Sequence, residues 1–165
     1  MSRIASVAEL YAHAIAIERE AAERYAELAE RMRDESNQDL AELFAGLAAL
    51  EQGHLEALER RTAGLALSPL ATKDYRWLGE AAPESTAREL VFRLMTPRHA
   101  LRIALRAEQR AQAFFEHVLL TADDSALRAL AREMAAEEQE HVLLIERMLQ
   151  STPDRLVHWE DLYEA

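Results

Sequence analysis

Four glutamates and two histidines occupy positions where a helical bundle would otherwise bury leucine: Glu18, Glu51 with His54, Glu108, and Glu138 with His141. They form two copies of one pattern, a lone Glu followed 33 or 30 residues later by Glu-x-x-His. Carboxylate oxygens and imidazole nitrogens are donors that divalent Fe, Mn and Zn accept. Residues three apart lie on one helix face, so both side chains of each Glu-x-x-His can reach a single centre. Two such pairs and two further glutamates supply ligands for two ions, and the chemistry the pattern best serves is a dinuclear metal site.

Helical phase strengthens this reading, because residues spaced alternately by three and four share one buried stripe. On that spacing the first helix carries Val7, Tyr11, Ala14, Glu18, Ala21, Tyr25, Leu28 and Met32, and the second Leu40, Phe44, Leu47, Glu51, His54 and Leu58. The third carries Leu101, Ala104, Glu108, Ala111, Phe115 and Val118, and the fourth Leu127, Ala131, Met134, Glu138, His141, Ile145 and Met148. The only ionisable acids and imidazoles are the six named positions, and no stripe holds Lys or Arg. Four converging carboxylates must be protonated, paired with cations or bound to metal, since an unpaired buried charge costs several kcal/mol. Without local cations, two divalent ions would cancel the four charges, and each imidazole would add one nitrogen ligand per ion.

The competing reading is that these are satisfied core carboxylates, or that the stripes are shifted and the six residues meet solvent. A single Glu-x-x-His would favour that reading, because Glu and His are common on helix surfaces. Two in-phase copies weigh against it. His13 lies five residues before Glu18 and His117 nine after Glu108, about 140° and 180° from the site face. With His99 and His158 they are expected at the surface.

The elements that must position these residues are legible. Only 4 Gly and 4 Pro occur in 165 residues, half of them hydrophobic, so the chain reads as all-α. Ser6 with Glu9 forms a capping box for a first helix running to about Arg33. Ser36 with Asp39 opens a second helix to about Arg61, Thr96-Pro97 a third to about Thr121, and Asp123 or Asp124 a fourth that ends before Pro153. Short links make helices one and two, and three and four, antiparallel hairpins. A stretch over about 62–95, with Gly64, Pro69, Gly79, Pro83 and a short helix candidate at 86–94, is long enough to cross the bundle from end to end. Residues 1–152 are thus expected to form one four-helix domain, with 153–165 a tail on the bundle. Trp77 and Trp159 are expected to anchor the crossover and the tail. The repeat sets Glu18 over Glu108 and Tyr25 over Phe115 at an offset of 90, and Glu51 over Glu138 and His54 over His141 at 87, which predicts two hairpins related by approximate twofold symmetry and two equivalent half-sites.

Composition excludes other chemistries. Cysteine is absent, so the chain has no disulfide, thiolate nucleophile or Cys-held metal. The net charge of -11 disfavours nucleic acid and anionic membrane surfaces as partners. Residues 1–9 have a broken apolar pattern and no secretory character, and no apolar run approaches membrane-spanning length. The expectation is a soluble, cytoplasmic homo-oligomer. Arg98, Arg102, Arg106 and Arg110 make a basic stripe, expected to be a solvated, salt-bridged face. Gly46 and Gly53 in the second helix point to close packing, since each costs about 1 kcal/mol against Ala.

The sequence resembles the rubrerythrin family of ferritin-like proteins over about residues 5–150. The resemblance rests on Glu18 with Ala22 and Tyr25, Glu51-Gln-Gly-His54, Glu108 with Ala111 and Phe114-Phe115, and Glu138-Gln-Glu-His141. It implies a ferritin-like four-helix bundle with a long crossover, Glu51 and Glu138 bridging two metals, Glu18 and Glu108 as terminal ligands, and His54 and His141 binding one ion each. Three departures matter. No four-Cys rubredoxin module is present, so turnover needs an external electron donor. Ala111 stands where some members carry an additional Glu that changes ligation with redox state. Tyr25 has Phe115 as its counterpart, leaving one hydroxyl, which either bonds a ligand carboxylate and assists proton delivery or is a plain core tyrosine.

Function then divides three ways. The leading expectation is a di-iron oxidoreductase that reduces peroxide or dioxygen, with Fe favoured and Mn or Zn as alternatives. The second is an iron-binding ferroxidase that stores or buffers iron. The third, a helical interaction module with a vestigial site, sits poorly with six intact ligands.

Overall fold

The computed structural model describes residues 4–34, 37–67, 70 and 96–152. Four helices make up the architecture of these residues: α1 (Val7–Asp34), α2 (Gln38–Thr62), α3 (Pro97–Thr121) and α4 (Ser125–Ser151). Each starts on a side chain that satisfies an otherwise orphaned backbone N–H. Glu9 N donates to Ser6 Oγ at 3.1 Å, and Glu9 Oε2 accepts from Ala5 N at 2.8 Å, so the box closes one residue upstream of its usual return bond. Thr96 Oγ1 accepts from His99 N, with Pro97 following at the first helical position. Asp124 Oδ1 accepts from Leu127 N at 2.7 Å. The cap of α2 is Asn37, whose Oδ1 accepts from Leu40 N, rather than the expected Ser36, which lies outside the described residues.

The α1–α2 and α3–α4 pairs pack along their lengths as hairpins, and α1 also meets α4. This is the four-helix bundle expected from the stripes. The short helix expected at 86–94, Trp77, His158 and the tail 153–165 fall outside the described residues. Gly64, just beyond α2, has φ 92, a left-handed backbone that a side chain would strain, and it stops the helix there. No helix among the described residues is long and apolar enough to cross a membrane.

The core is divided in two. One cluster contains Leu10, Ala14, Leu58, Phe115, Val118, Leu127 and Met134, and the other Tyr25, Met32, Leu40, Phe44, Leu101 and Ile145. Every helix passes from one cluster to the other, and each does so across its Glu or Glu-x-x-His. The six polar residues therefore form a layer between two apolar halves.

Two expectations need correction. His13 is fully buried, not at the surface, with its ring 5.3 Å from that of Phe114. The run Ala14-Ile15-Ala16-Ile17 is apolar on all sides of α1, so this turn is enclosed, and Leu67 and Leu70 pack on the same cluster. Gly46 and Gly53 are not tight packing sites, because a Cβ at either would meet nothing within 4 Å. Arg98 Nη1 donates to the carbonyls of Leu149 and Thr152, both at 2.8 Å, tying the start of α3 to the end of α4.

Candidate metal centre

The bundle brings all six polar residues of the stripes into one layer at mid-height. Glu18, Glu51, Glu108, Glu138 and His141 are buried, and His54 is half-buried. His141 sits at the centre. Its Nδ1 lies 3.3 Å from Glu51 Oε1, 3.3 Å from Glu108 Oε2 and 3.7 Å from Glu138 Oε2. His54 stacks on it with ring centroids 4.8 Å apart, and His54 Nδ1 is 4.0 Å from Glu18 Oε2. Glu51, His54 and His141 form one group whose ligand atoms lie within 4.8 Å of one another, and Glu108, Glu138 and His141 form a second. Glu18 stands outside both groups but hydrogen-bonds Glu51.

The two halves are not equivalent, contrary to the symmetry expected from the repeat. His141 is shared between the groups and its side chain is 4% exposed, while that of His54 is 30% exposed. Tyr25 adds to the difference. Its hydroxyl donates to Glu108 Oε1 on the facing helix α3, whereas Phe115 offers no such donor. Tyr25 is thus a positioning residue for a site carboxylate rather than a plain core tyrosine.

Crowded carboxyls in a dry layer hold protons that water would take. Burial pushes Glu51 up to about 11, reinforced by its hydrogen bond to Glu18 and the charge of Glu108. Burial likewise raises Glu138 well above the carboxylate range, with the charges of Glu18 and Glu108 adding to it. Glu18 is raised by burial, partly offset by the hydrogen bond from Glu51. Glu108 departs from the others. Burial opposes its charge most strongly, yet hydrogen bonds from His141 and Tyr25, with the charge of His141, together hold it below the ordinary value. His141 is raised despite burial, through Glu108, and His54 is lowered by burial and then by His141. Burial and mutual repulsion thus favour protons on Glu51, Glu138 and His141, at positions where cations could stand.

The donor set suits metal ions for a further reason. Glu18 Oε2, Glu51 Oε1, His54 Nδ1 and His141 Nε2 are buried without a hydrogen-bond partner. Buried polar atoms left so are costly, and a cation among them is one means of satisfying them together. Glu137 was not expected from the helical stripes. It is half-buried and raised by burial, and its charge acts on Glu18, Glu138 and His141. Its place next to Glu138 was the available signal.

Four helices in two hairpins, with a Glu/His layer at mid-height, define a ferritin-like bundle with side chains suited to a dinuclear metal site. The model of the rubrerythrin family matches residues 9–149, and the chain belongs to that family. A solved structure of an uncharacterized conserved protein from Magnetospirillum magnetotacticum MS-1 is similar, with 34% identity, a TM-score of 0.78, and coverage of 93% of this chain and 100% of that one. Comparison with curated proteins finds no match.

Proposed function

We propose that this protein is a dinuclear non-haem iron protein that reduces peroxide or dioxygen with electrons from an external donor. The observation that carries the reading is the buried Glu/His layer: four carboxyls and two imidazoles, with orphaned donor atoms and no Lys or Arg in the layer. A bound pair of iron ions would supply two electrons at one place, which is what two-electron reduction of an O–O bond requires.

The chain's own residues divide the remaining work. Glu18, Glu51 and His54 would hold one ion, and Glu108, Glu138 and His141 the other. Glu51 lies near the histidines of both hairpins, and Glu138 feels the charges of both lone glutamates, which supports a bridging role for this pair. Tyr25 orients Glu108 through its hydroxyl and can pass a proton at that oxygen. The flanking apolar clusters exclude bulk water. The sequence has no cysteine to hold a thiolate-bound iron of its own, and the reading takes its electrons from an external donor.

The test is stopped-flow absorbance of protein loaded anaerobically with two Fe(II) per chain and mixed with hydrogen peroxide or with dioxygen. Oxidation by either oxidant faster than that of iron in buffer supports the reading. Oxidation no faster than in buffer with both ends it. Glu138→Ala is expected to lower bound metal to one ion or fewer per chain, measured by elemental analysis. Unchanged metal content would remove Glu138 from the ligand set.

A further inference from the structure

A cleft between α1 and α3 reaches inward to the site. It offers about 40 Å³, and its inner wall is formed by Tyr25 and Glu108, residues only 1% and 3% exposed. Ala21, Ala107 and Ala111 line it, and Glu20, Arg24 and Arg110 also border it. We propose that this cleft is the route by which a neutral oxidant of two or three heavy atoms reaches Glu108 and Tyr25. The inference rests on the redox reading above.

Size is the first argument. One water needs roughly 10–15 Å³, so this space admits about three such centres and excludes larger organic molecules. The opening exists because three alanines stand where longer side chains would fill the seam between α1 and α3. Charge is the second argument. Arg24 hydrogen-bonds Glu20 Oε1, and Arg110 balances Glu108, so the lining carries no net charge. A passage without net charge, walled by alanines, favours a neutral molecule over an ion. On α2 the half-exposed His54 is where the layer comes nearest to solvent.

Ala107 and Ala21 are only partly buried, so a leucine at either can be accommodated while it fills the passage. The first measurement is xenon binding in crystals of the full chain as purified. Xenon is expected between Ala21, Ala107 and Ala111, and is expected to be lost in Ala107→Leu. The second is oxidation of the Fe(II)-loaded chain by peroxide, expected to slow at least tenfold in Ala107→Leu and in Ala21→Leu with metal content unchanged. Absence of xenon from the wild-type cleft, or wild-type oxidation rates in both variants, overturns the route. If xenon binds and leucine blocks it, but the loaded wild-type chain reacts with neither oxidant, the redox reading falls while the cleft stands as a small-molecule passage.

Discussion

The hydroxyl of Tyr25 shows how one atom breaks the symmetry of a repeated site. Glu108 receives it together with a contact from His141 Nδ1 at 3.3 Å, and alone among the four glutamates is held below the ordinary carboxylate range. Removing the hydroxyl leaves a buried acceptor without its donor, a loss of about 1–3 kcal/mol. Tyr25→Phe is therefore expected to lower the Tm of the chelated protein by several degrees while binding the same amount of metal. Differential scanning calorimetry and elemental analysis check the two halves of that statement, and an unchanged Tm would mean that the hydrogen bond contributes nothing net. The fit of a phenylalanine in such a position is already shown by Phe115, buried at the corresponding place in α3.

Among the elements, α2 carries an unused reserve of stability. Gly46 and Gly53 sit in its interior on the exposed side, with room for a Cβ at each. Replacing both with alanine removes backbone freedom from the unfolded chain and is expected to stabilise by about 0.4–1 kcal/mol per site, a rise in Tm measurable by thermal melting. A fall instead would mean that this face of α2 packs against something beyond the described residues. The caps work in the opposite direction. Asp124→Ala removes the acceptor of Leu127 N and is expected to cost about 1 kcal/mol, read as a lower denaturation midpoint in urea.

At the scale of the whole molecule, the polar layer makes stability depend on pH in a sense opposite to that of an ordinary acidic protein. Glu51 rises from 4.5 to about 11 on folding, Glu138 rises well above 4.5, and His141 rises above 6.5. Each binds its proton more tightly in the folded state, so its contribution is complete below the unfolded pKa and is lost as pH rises through the folded one. Between pH 7 and 9 a single such carboxyl costs the metal-free protein up to about 1.4 kcal/mol per pH unit. His54 and Glu108, both lowered, act in the opposite sense and only in acid. The Tm of the chelated protein is expected to fall by several degrees from pH 7 to pH 9. Metal must displace such protons, so at pH 7 binding of the pair is expected to release at least one, that of Glu51, and affinity should rise with pH. Calorimetry in buffers of different ionisation enthalpy measures that release, and zero release would show Glu51 to be already ionised.

The inward facing of the six Glu and His residues, the four helices and three of the four caps were legible from the sequence, because helical period and cap chemistry are local. A carboxylate on an otherwise apolar stripe announces itself wherever the stripe is long enough to phase. His13 was misplaced for the same reason. An angle measured on one helix does not report what covers its far side, although the all-round apolar run after it hinted at enclosure. The glycines of α2 could not reveal from spacing whether a neighbour lay close. What the tertiary structure alone decided was asymmetry. The repeat implied two equal half-sites, but packing leaves His54 partly open, places His141 Nδ1 among three carboxylates, sets Tyr25 on Glu108 and opens a seam between α1 and α3. Residue types and their period determine which side chains face inward; the distances between facing helices, which no single helix encodes, determine what those side chains meet.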